Sequence, residues 1–335
     1  MADNNTDIFQ IIDNYAKIAH IQSFPIIKSK LDFSPIITIA IPTYKRPDLL
    51  KEAINSAINQ INYSNYEIIV VDNNPERDCE TEKLLKTYSS NHLSYYKNEQ
   101  NIGMVGNWNR CIELARGKYI TILHDDDWLD INYLEEATKR ISGEKALIFK
   151  VKYHDERIMG KKRKKYIKKI LKLCLHKITP KSHNISLFDF FIGHMAAGTL
   201  GILYKKNILL ELGGFNEMNY PGQDYILNIN YKIFAGCTFF KKEIANYRIA
   251  ANESLKIAMK FPELMNNVRS DMAKLINYPT WFLKFLQSSL YIINKKSINQ
   301  FWNLVNHNNN FSQSLKISDK LIQFYLQIRN YILYL

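Results

Sequence analysis

The sequence lacks several features that would assign it to common functional classes. Its four cysteines are far apart and form no Cys-x-x-Cys pair, which excludes zinc-finger spacing and favours reduced thiols over a disulfide framework. No run of roughly 18 residues is both apolar and uncharged, so no transmembrane helix is expected. The N-terminus has no basic segment followed by an apolar one. We therefore expect no signal peptide, and a cytoplasmic protein that is peripheral to a membrane at most.

Acidic residues are scarce in one segment, which holds most of the excess positive charge. The chain has a formal net charge of +13, and residues 145–181 contain 14 Lys and Arg but only two acids. Apolar residues are interleaved with the lysines of residues 157–173, which is typical of a helix at a membrane interface. A solvated charged face is the alternative. Nucleic acid is a competing anion, but no nucleic-acid-binding module is recognisable, so no nucleic-acid partner is expected.

The apolar pattern predicts an α/β fold. With 335 residues and 46% hydrophobic content, the chain can bury a large core. Apolar runs at 36–41, 66–71, 93–96 and 119–123 predict strands, and helical patterns separate them. This order predicts a mostly parallel central sheet flanked by helices.

Both ends of the chain have helical periodicity. The spacing of Ile8, Ile11, Tyr15 and Ile18 predicts an N-terminal helical extension within residues 1–35. Residues 253–335 predict a C-terminal helical subdomain with aromatic faces. Those faces could pack on the main domain, on a second subunit as a homo-oligomer, or on a membrane.

The most informative motif is the acidic run Asp125-Asp126-Asp127, which follows the strand predicted at 119–123. Three adjacent carboxylates at a strand end repel one another unless a cation lies among them. Mg²⁺ and Mn²⁺ prefer carboxylate oxygens and share them with substrate phosphates. In open α/β sheets, ligands bind beyond the carboxyl ends of strands, which is where this run falls. An acidic helix start is the alternative.

Two further loops follow predicted strands, and several short motifs lie along the chain in a characteristic order. The motifs are Ile41-Pro42-Thr43-Tyr44-Lys45-Arg46-Pro47, Val70-Val71-Asp72-Asn73, Asn101-Ile102-Gly103 with Asn107, Gly117-Lys118-Tyr119 and Leu123-His124-Asp125-Asp126-Asp127. Weaker matches are Gly213-Gly214-Phe215-Asn216, Gln223-Asp224-Tyr225 and Tyr247-Arg248. In order and spacing, residues 36–250 resemble a family-2 inverting glycosyltransferase with the GT-A fold.

The resemblance implies a donor half at residues 36–135 and an acceptor half at 136–252, within a GT-A domain spanning 36–252. It implies Mn²⁺ or Mg²⁺ at Asp126 and Asp127, with the direct ligand left open between them because His124 replaces the family's usual first Asp. Asp72 would bind the uracil ring. The full set of nucleotide-binding residues implied is Pro42, Thr43, Tyr44, Arg46, Asp72, Asn73, Gly103, Asn107, Asp125 and Asp126.

The resemblance also implies that Asp224 is the catalytic base. In an inverting transfer, a carboxylate on the acceptor side takes the proton of the attacking hydroxyl. The family usually has Glu-Asp here, whereas this chain has Gln223-Asp224. A helix cap is the alternative role for Asp224. His194, Gln223 and Arg248 are further candidates, for acceptor or diphosphate contacts.

The activity expected is metal-dependent, inverting transfer from a UDP-sugar to a glycan or lipid-linked acceptor in bacterial surface polysaccharide synthesis, such as capsule or lipopolysaccharide. A nucleotidyltransferase of similar fold is one rival, although the loop Pro42-Thr43-Tyr44-Lys45-Arg46 has no glycine for a phosphate loop. An inactive nucleotide-binding or membrane-docking protein is the other.

Overall fold

The computed structural model describes residues 8–156, 181–193, 198–250, 257–306 and 315–334, with side chains of the last two helices described up to 298 and 329. Across these ranges the backbone forms one ten-stranded sheet with helices packed on it. The basic segment 157–173 lies outside the described residues.

The first half of the sheet is parallel apart from its edge strand. It contains β1 (Ser23–Ile27), β2 (Ile37–Thr43), β3 (Tyr66–Asp72), β4 (Leu93–Asn98) and β5 (Tyr119–Ile122). β2 pairs in parallel with β3 and β5, and β3 pairs in parallel with β4, whereas β1 runs antiparallel to β4. The carboxyl ends of the parallel strands therefore meet at one edge, as the sequence predicts.

The second half makes the whole sheet mixed rather than mostly parallel. It contains β6 (Trp128–Leu129), β7 (Ala146–Asp155), β8 (Ser182–Asn184), β9 (Ile202–Lys205) and β10 (Cys237–Ile249). β9 is antiparallel to both β5 and β7, so it joins the two halves. The strand order is β1-β4-β3-β2-β5-β9-β7-β10-β6, with β8 also paired to β10.

Helices cover both faces because the strand residues alternate between two apolar cores. Ile37, Ile39 and Ile41 pack with α1 (Pro47–Ile58) and α4 (Tyr133–Thr138) on one face, whereas Ala40 lies in the core with α3 (Gly103–Leu114) and α7 (Gln223–Phe234) on the other. Full burial of one such aliphatic side chain contributes about 1.5–3 kcal/mol. The helices of this region are α1 (Pro47–Ile58), α2 (Glu80–Lys86), α3 (Gly103–Leu114), α4 (Tyr133–Thr138), α5 (Leu187–Ile192), α6 (Lys206–Glu211) and α7 (Gln223–Phe234).

The predicted N-terminal helix is wrong for the described residues 8–31. They form turns and the strand β1, whose register pairs Ser23 with Asn98. Asn14 N donates to Gly213 O at 3.0 Å, and Tyr15 Oη donates to Leu209 O at 3.0 Å. These contacts with distant parts of the chain replace the local hydrogen bonds that a helix would use.

The predicted C-terminal helices are present as α8 (Phe261–Met272), α9 (Thr280–Asn306) and α10 (Ile317–Tyr334). α8 is held to α5 by Arg269, whose Nε donates to Phe191 O at 2.7 Å. None of the helices in the described ranges is long and apolar enough to cross a bilayer.

Candidate active site

The carboxyl ends of β2 and β5 bring a hydroxyl, a guanidinium and two carboxylates together. Thr43 Oγ1 donates a hydrogen bond to Asp125 Oδ2 at 2.8 Å. Arg46 Nη1 lies 3.3 Å from Asp125 Oδ1 and 3.4 Å from Asp126 Oδ2. Pro42 is buried within β2, and the Tyr44 ring is exposed at the start of the following loop. The structure therefore places this predicted donor loop directly against the acidic run.

The acidic run has more buried negative charge than its neighbours neutralise. Burial raises the pKa of Asp125 to about 6, even though Arg46 acts to lower it. Burial, and then the charge of Asp126, hold the pKa of Asp127 well above its usual range. A cation bound here would therefore stabilise the ionised carboxylates.

Arg248 on β10 closes the other side of the acidic run. Its backbone N–H donates to Asp127 Oδ1 at 2.9 Å, and its Nε donates to the carbonyl oxygen of Asp126 at 3.0 Å. The guanidinium also forms ion pairs with Glu52 and Glu156. Arg248 thus lies beside the predicted diphosphate site, held in place by two exposed carboxylates.

The acidic run fits a cation that a substrate helps to hold. The described residues contain no group of three or more His, Cys, Asp or Glu able to coordinate a metal alone. Mg²⁺ commonly uses only one or two carboxylates and takes its other ligands from substrate phosphates and water. Asp126 and Asp127, in the under-neutralised run, are suited to that role.

Asp72, the residue predicted to bind uracil, is fully buried and its oxygens are occupied by protein groups. Its Oδ2 accepts hydrogen bonds from Tyr95 Oη at 2.7 Å and from Lys97 Nζ at 2.9 Å. Its Oδ1 accepts one from Asn74 N at 2.9 Å. Contact between Asp72 and a nucleobase stays a prediction, and because the carboxylate is fully buried, side chains around it must move for the contact to form.

Three other predicted nucleotide-binding residues belong to an amide network at the start of α3. Asn73 Oδ1 accepts from Asn98 Nδ2 at 3.0 Å, and Asn73 Nδ2 donates to Gly103 O at 3.0 Å. Asn98 Nδ2 also donates to Asn107 Oδ1 at 2.9 Å. The network fixes the start of α3 against β3 and β4, so Asn73, Gly103 and Asn107 shape this edge of the sheet.

Asp224 lies in the first turn of α7 and does not cap that helix. The cap position is Gly222, which makes no side-chain cap hydrogen bond. Asp224 Oδ1 accepts from the adjacent Tyr225 N–H at 2.8 Å. Its Oδ2 faces Gly198, where a Cβ would lie only 3.1 Å away. A side chain at position 198 would therefore press against the Asp224 carboxylate.

His124 directly precedes the acidic run and lies within electrostatic range of both Asp126 and Asp224. Its Nε2 is 2.8 Å from Thr199 Oγ1, and its ring packs edge-on against Trp108 with centroids 5.1 Å apart. Burial lowers the pKa of His124, against the opposing negative charges of Asp126 and Asp224. The imidazole is therefore neutral near pH 7, and both carboxylates are close enough to act on it.

The remaining acceptor-side candidates differ in what the structure shows of them. Gln223 is buried, and its Oε1 has no hydrogen-bond partner among the described residues. His194 lies outside the described residues.

Several residues of the site were missed by sequence reasoning. Lys97 and Tyr95 hold Asp72, Thr199 holds His124, and Glu52 and Glu156 hold Arg248. Tyr95 and Lys97 carry a weak signal, because they alternate on one face of β4. The other partners are distant in sequence and have no local signal.

The chain matches a known family over about half its length and relatives over most of it. Residues 38–206 match the family model described as Glycosyl transferase family 2. The GalNAc(5)-diNAcBac-PP-undecaprenol beta-1,3-glucosyltransferase of Campylobacter jejuni is 28% identical over 225 residues, which cover 67% of this chain and 68% of that protein. Three other curated relatives are matched over only 32% or 33% of their own length.

Solved structures share the fold. Staphylococcus aureus TarS residues 1–349, in complex with UDP-GlcNAc, has a TM-score of 0.55 at 15% identity, covering 88% of this chain and 81% of that one. The Pyrobaculum calidifontis mannosyltransferase PcManGT, in complex with GDP-Man and Mn²⁺, has a TM-score of 0.50 at 13% identity, covering 94% and 86%. Such identities establish the fold alone, which is the GT-A fold predicted from the sequence.

Proposed function

The chain belongs to glycosyl transferase family 2, and we propose that it moves a sugar from a UDP-sugar to a hydroxyl of a glycan or lipid-linked acceptor. The transfer inverts the configuration at the sugar carbon and uses a divalent cation. We further propose that it serves bacterial surface polysaccharide synthesis at the inner face of the cytoplasmic membrane. The name of the Campylobacter relative, which includes an undecaprenol-linked acceptor, supports a lipid-linked substrate.

One observation carries the proposal. A buried, under-neutralised acidic run lies at the strand ends, and the neutral imidazole of His124 is within electrostatic range of both Asp126 in that run and Asp224. The acidic run suits a cation and a diphosphate, and in the proposed site Asp224 would stand on the side from which an acceptor hydroxyl attacks. This separation of roles is what a direct displacement requires.

In the proposed reaction, the acceptor oxygen attacks C1 of the sugar from the face opposite the diphosphate. The new C1–O bond forms as the bond from C1 to the diphosphate oxygen breaks, and UDP leaves with that electron pair. Asp224 takes the proton of the attacking hydroxyl. The unpartnered Oε1 of buried Gln223 is available to accept a hydrogen bond from an acceptor hydroxyl.

The donor would be bound by residues at the carboxyl ends of β2 and β5. Arg46, which already contacts Asp125 and Asp126, can move onto the diphosphate oxygens, and Tyr44 is exposed for stacking on the base. Asp126 and Asp127 would hold the cation, which when bound neutralises negative charge developing on the departing diphosphate.

The base assignment is tested with Asp224→Asn, which keeps the acceptor for the Tyr225 N–H but cannot take a proton. We expect UDP release from UDP-sugars in the presence of acceptor to fall by about 10²–10⁴-fold, with UDP binding unchanged. Asp32→Asn, which removes an exposed carboxylate, serves as the matched control. Full activity in Asp224→Asn would show that another group is the base.

The donor site is tested by thermal unfolding with UDP or GDP, each with and without Mn²⁺. A nucleotide at about 100 times its dissociation constant should stabilise the protein by about 2.7 kcal/mol. We expect a shift with UDP and Mn²⁺ together, and its loss in Asp127→Ala. A shift with GDP alone would contradict the UDP assignment, and no shift with either nucleotide would contradict the donor site.

A further inference from the structure

The exposed side of α9 and α10 carries an apolar stripe that no other part of the described chain covers. On α10 the stripe has helical spacing, and Leu321 and Phe324 are 63% and 60% exposed. On α9, Trp281 is 72% exposed, and Phe285 lies one turn further on the same side. We call this surface the aromatic–lysine face, which consists of Trp281, Lys284, Phe285, Lys316, Ile317, Lys320, Leu321, Phe324, Tyr325 and Ile328.

The two helices meet around an apolar cavity that opens on this face. The cavity has a volume of about 430 Å³. Phe285, Leu321 and Tyr325 line it and are also exposed, so they form its rim. Phe188 and Ile192 of α5 line its inner side. The cavity is thus large enough for part of an apolar chain, and its mouth lies within the aromatic–lysine face.

The charges on this face have one sign. α9 contains no Asp or Glu, and the one acid of α10, Asp319, is buried at the start of its helix. Lys284, Lys316 and Lys320 are exposed, and none of them forms an ion pair with a described residue. An apolar stripe with free lysines beside it matches an anionic lipid surface.

We propose that the aromatic–lysine face docks onto an anionic lipid bilayer. Apolar side chains of the stripe enter the interface, and the lysines contact lipid phosphates. A second copy of the chain fits less well, because an isologous dimer would bring two positively charged faces together. Leaving this much apolar surface exposed to water is unfavourable. Large exposed apolar patches of this kind mark interaction sites.

Docking at this face would bring the acceptor side towards the lipid. α5 lines the cavity, and its Phe190 carbonyl accepts a hydrogen bond from Tyr225 Oη at 2.7 Å. Tyr225 follows Asp224 in α7. One short helix therefore separates the cavity from the helix that carries the proposed base.

The test is vesicle cosedimentation of the full chain with phosphatidylcholine alone and with about one third phosphatidylglycerol, at low salt and at about 0.5 M NaCl. We expect binding to the anionic vesicles, reduced by salt. Lys316→Gln/Lys320→Gln should lower the partition coefficient about 30-fold, since each interfacial lysine is worth about fivefold. Phe324→Ser should lower it further.

Matched controls remove the same groups elsewhere. Lys28→Gln/Lys30→Gln removes two exposed lysines near the opposite edge of the sheet, and Phe24→Ser removes an exposed aromatic ring on β1. Both controls should bind as the parent chain does, and all variants should unfold at the parent temperature because the altered side chains are exposed.

Three results would overturn the proposal. The first is no binding of the parent chain to anionic vesicles, and the second is equal binding by the face variants and the controls. The third is a concentration-dependent dimer that Phe324→Ser dissociates, which would assign the face to a second copy. The measurement uses no sugar donor, so its failure leaves the proposed transferase activity untouched.

Discussion

The raised pKa of Asp125 makes the free energy of unfolding depend on pH in a predictable direction. In the folded protein its pKa is about 6, raised by burial, whereas an ordinary Asp titrates near 3.8. Between these values the folded chain holds a proton that the unfolded chain has lost. The contribution of this proton to the stability of the folded protein is therefore complete below the pKa of Asp125 in the unfolded chain, and it is lost as the pH rises through about 6.

The size of the effect follows from the shift. A pKa difference of about two units corresponds to about 3 kcal/mol, of which about 2 kcal/mol falls between about pH 4.5 and pH 7. Asp125→Asn removes the titration but keeps an oxygen for the Thr43 hydroxyl. We therefore expect the variant to gain about 2 kcal/mol relative to the parent chain over that pH range.

Urea unfolding of both proteins at several pH values measures this difference directly. Asp127 and His124 also titrate with shifted pKa values, but they are present in both proteins, so their contributions cancel except for the part of the Asp127 shift that comes from the charge of Asp125. Asp32→Asn is the control for a change in net charge. Parallel stability curves for the parent and Asp125→Asn, within about 0.5 kcal/mol, would refute the argument that burial outweighs Arg46 at this site.

Two further predictions concern the proposed base Asp224 and the buried ion pair between Lys97 and Asp72. Gly198→Ala places a Cβ against Asp224 Oδ2 and should lower kcat about tenfold, with donor binding kept. Gly143→Ala is the control, because Gly143 has a similar positive φ in open space and its substitution should leave kcat unchanged. Equal kcat values for the two variants would contradict the contact. Lys97→Met leaves the buried Asp72 carboxylate without its cation and should lower the free energy of unfolding, measured in urea, by about 3–5 kcal/mol. Adding Asp72→Asn should recover most of this loss. A loss below about 1 kcal/mol in Lys97→Met would contradict the pairing.

The sheet and the acidic run could be predicted because their signals are local. β2, β3 and β5 are mostly apolar, and polar residues lie at the end of each strand or shortly after it in sequence. Parallel pairing then places Thr43 beside Asp72 in register and Asp125 within reach of Thr43. Neither inference needs information from a distant part of the chain.

The N-terminal segment could not be predicted in the same way. Its apolar spacing is helical, but the segment crosses the turn at Gly213, where a Cβ would lie 2.0 Å from the Ile12 carbonyl oxygen. Contacts between residues almost two hundred positions apart override a local preference, and periodicity carries no information about them. The surroundings of Asp72 were missed for the same reason, since Lys97 reaches it from the neighbouring strand.

The placement of β9 between β5 and β7 has a mechanical consequence. Hydrogen bonds run without interruption from the strands that carry the acidic run to β10, which carries Arg248. A sheet bonded in this way has no hinge between its halves, so they cannot open and close like a clamshell around a ligand. The sheet therefore sets the separation between the acidic run and Arg248, and adjustment to a ligand would fall to the loops and side chains at the sheet's edge.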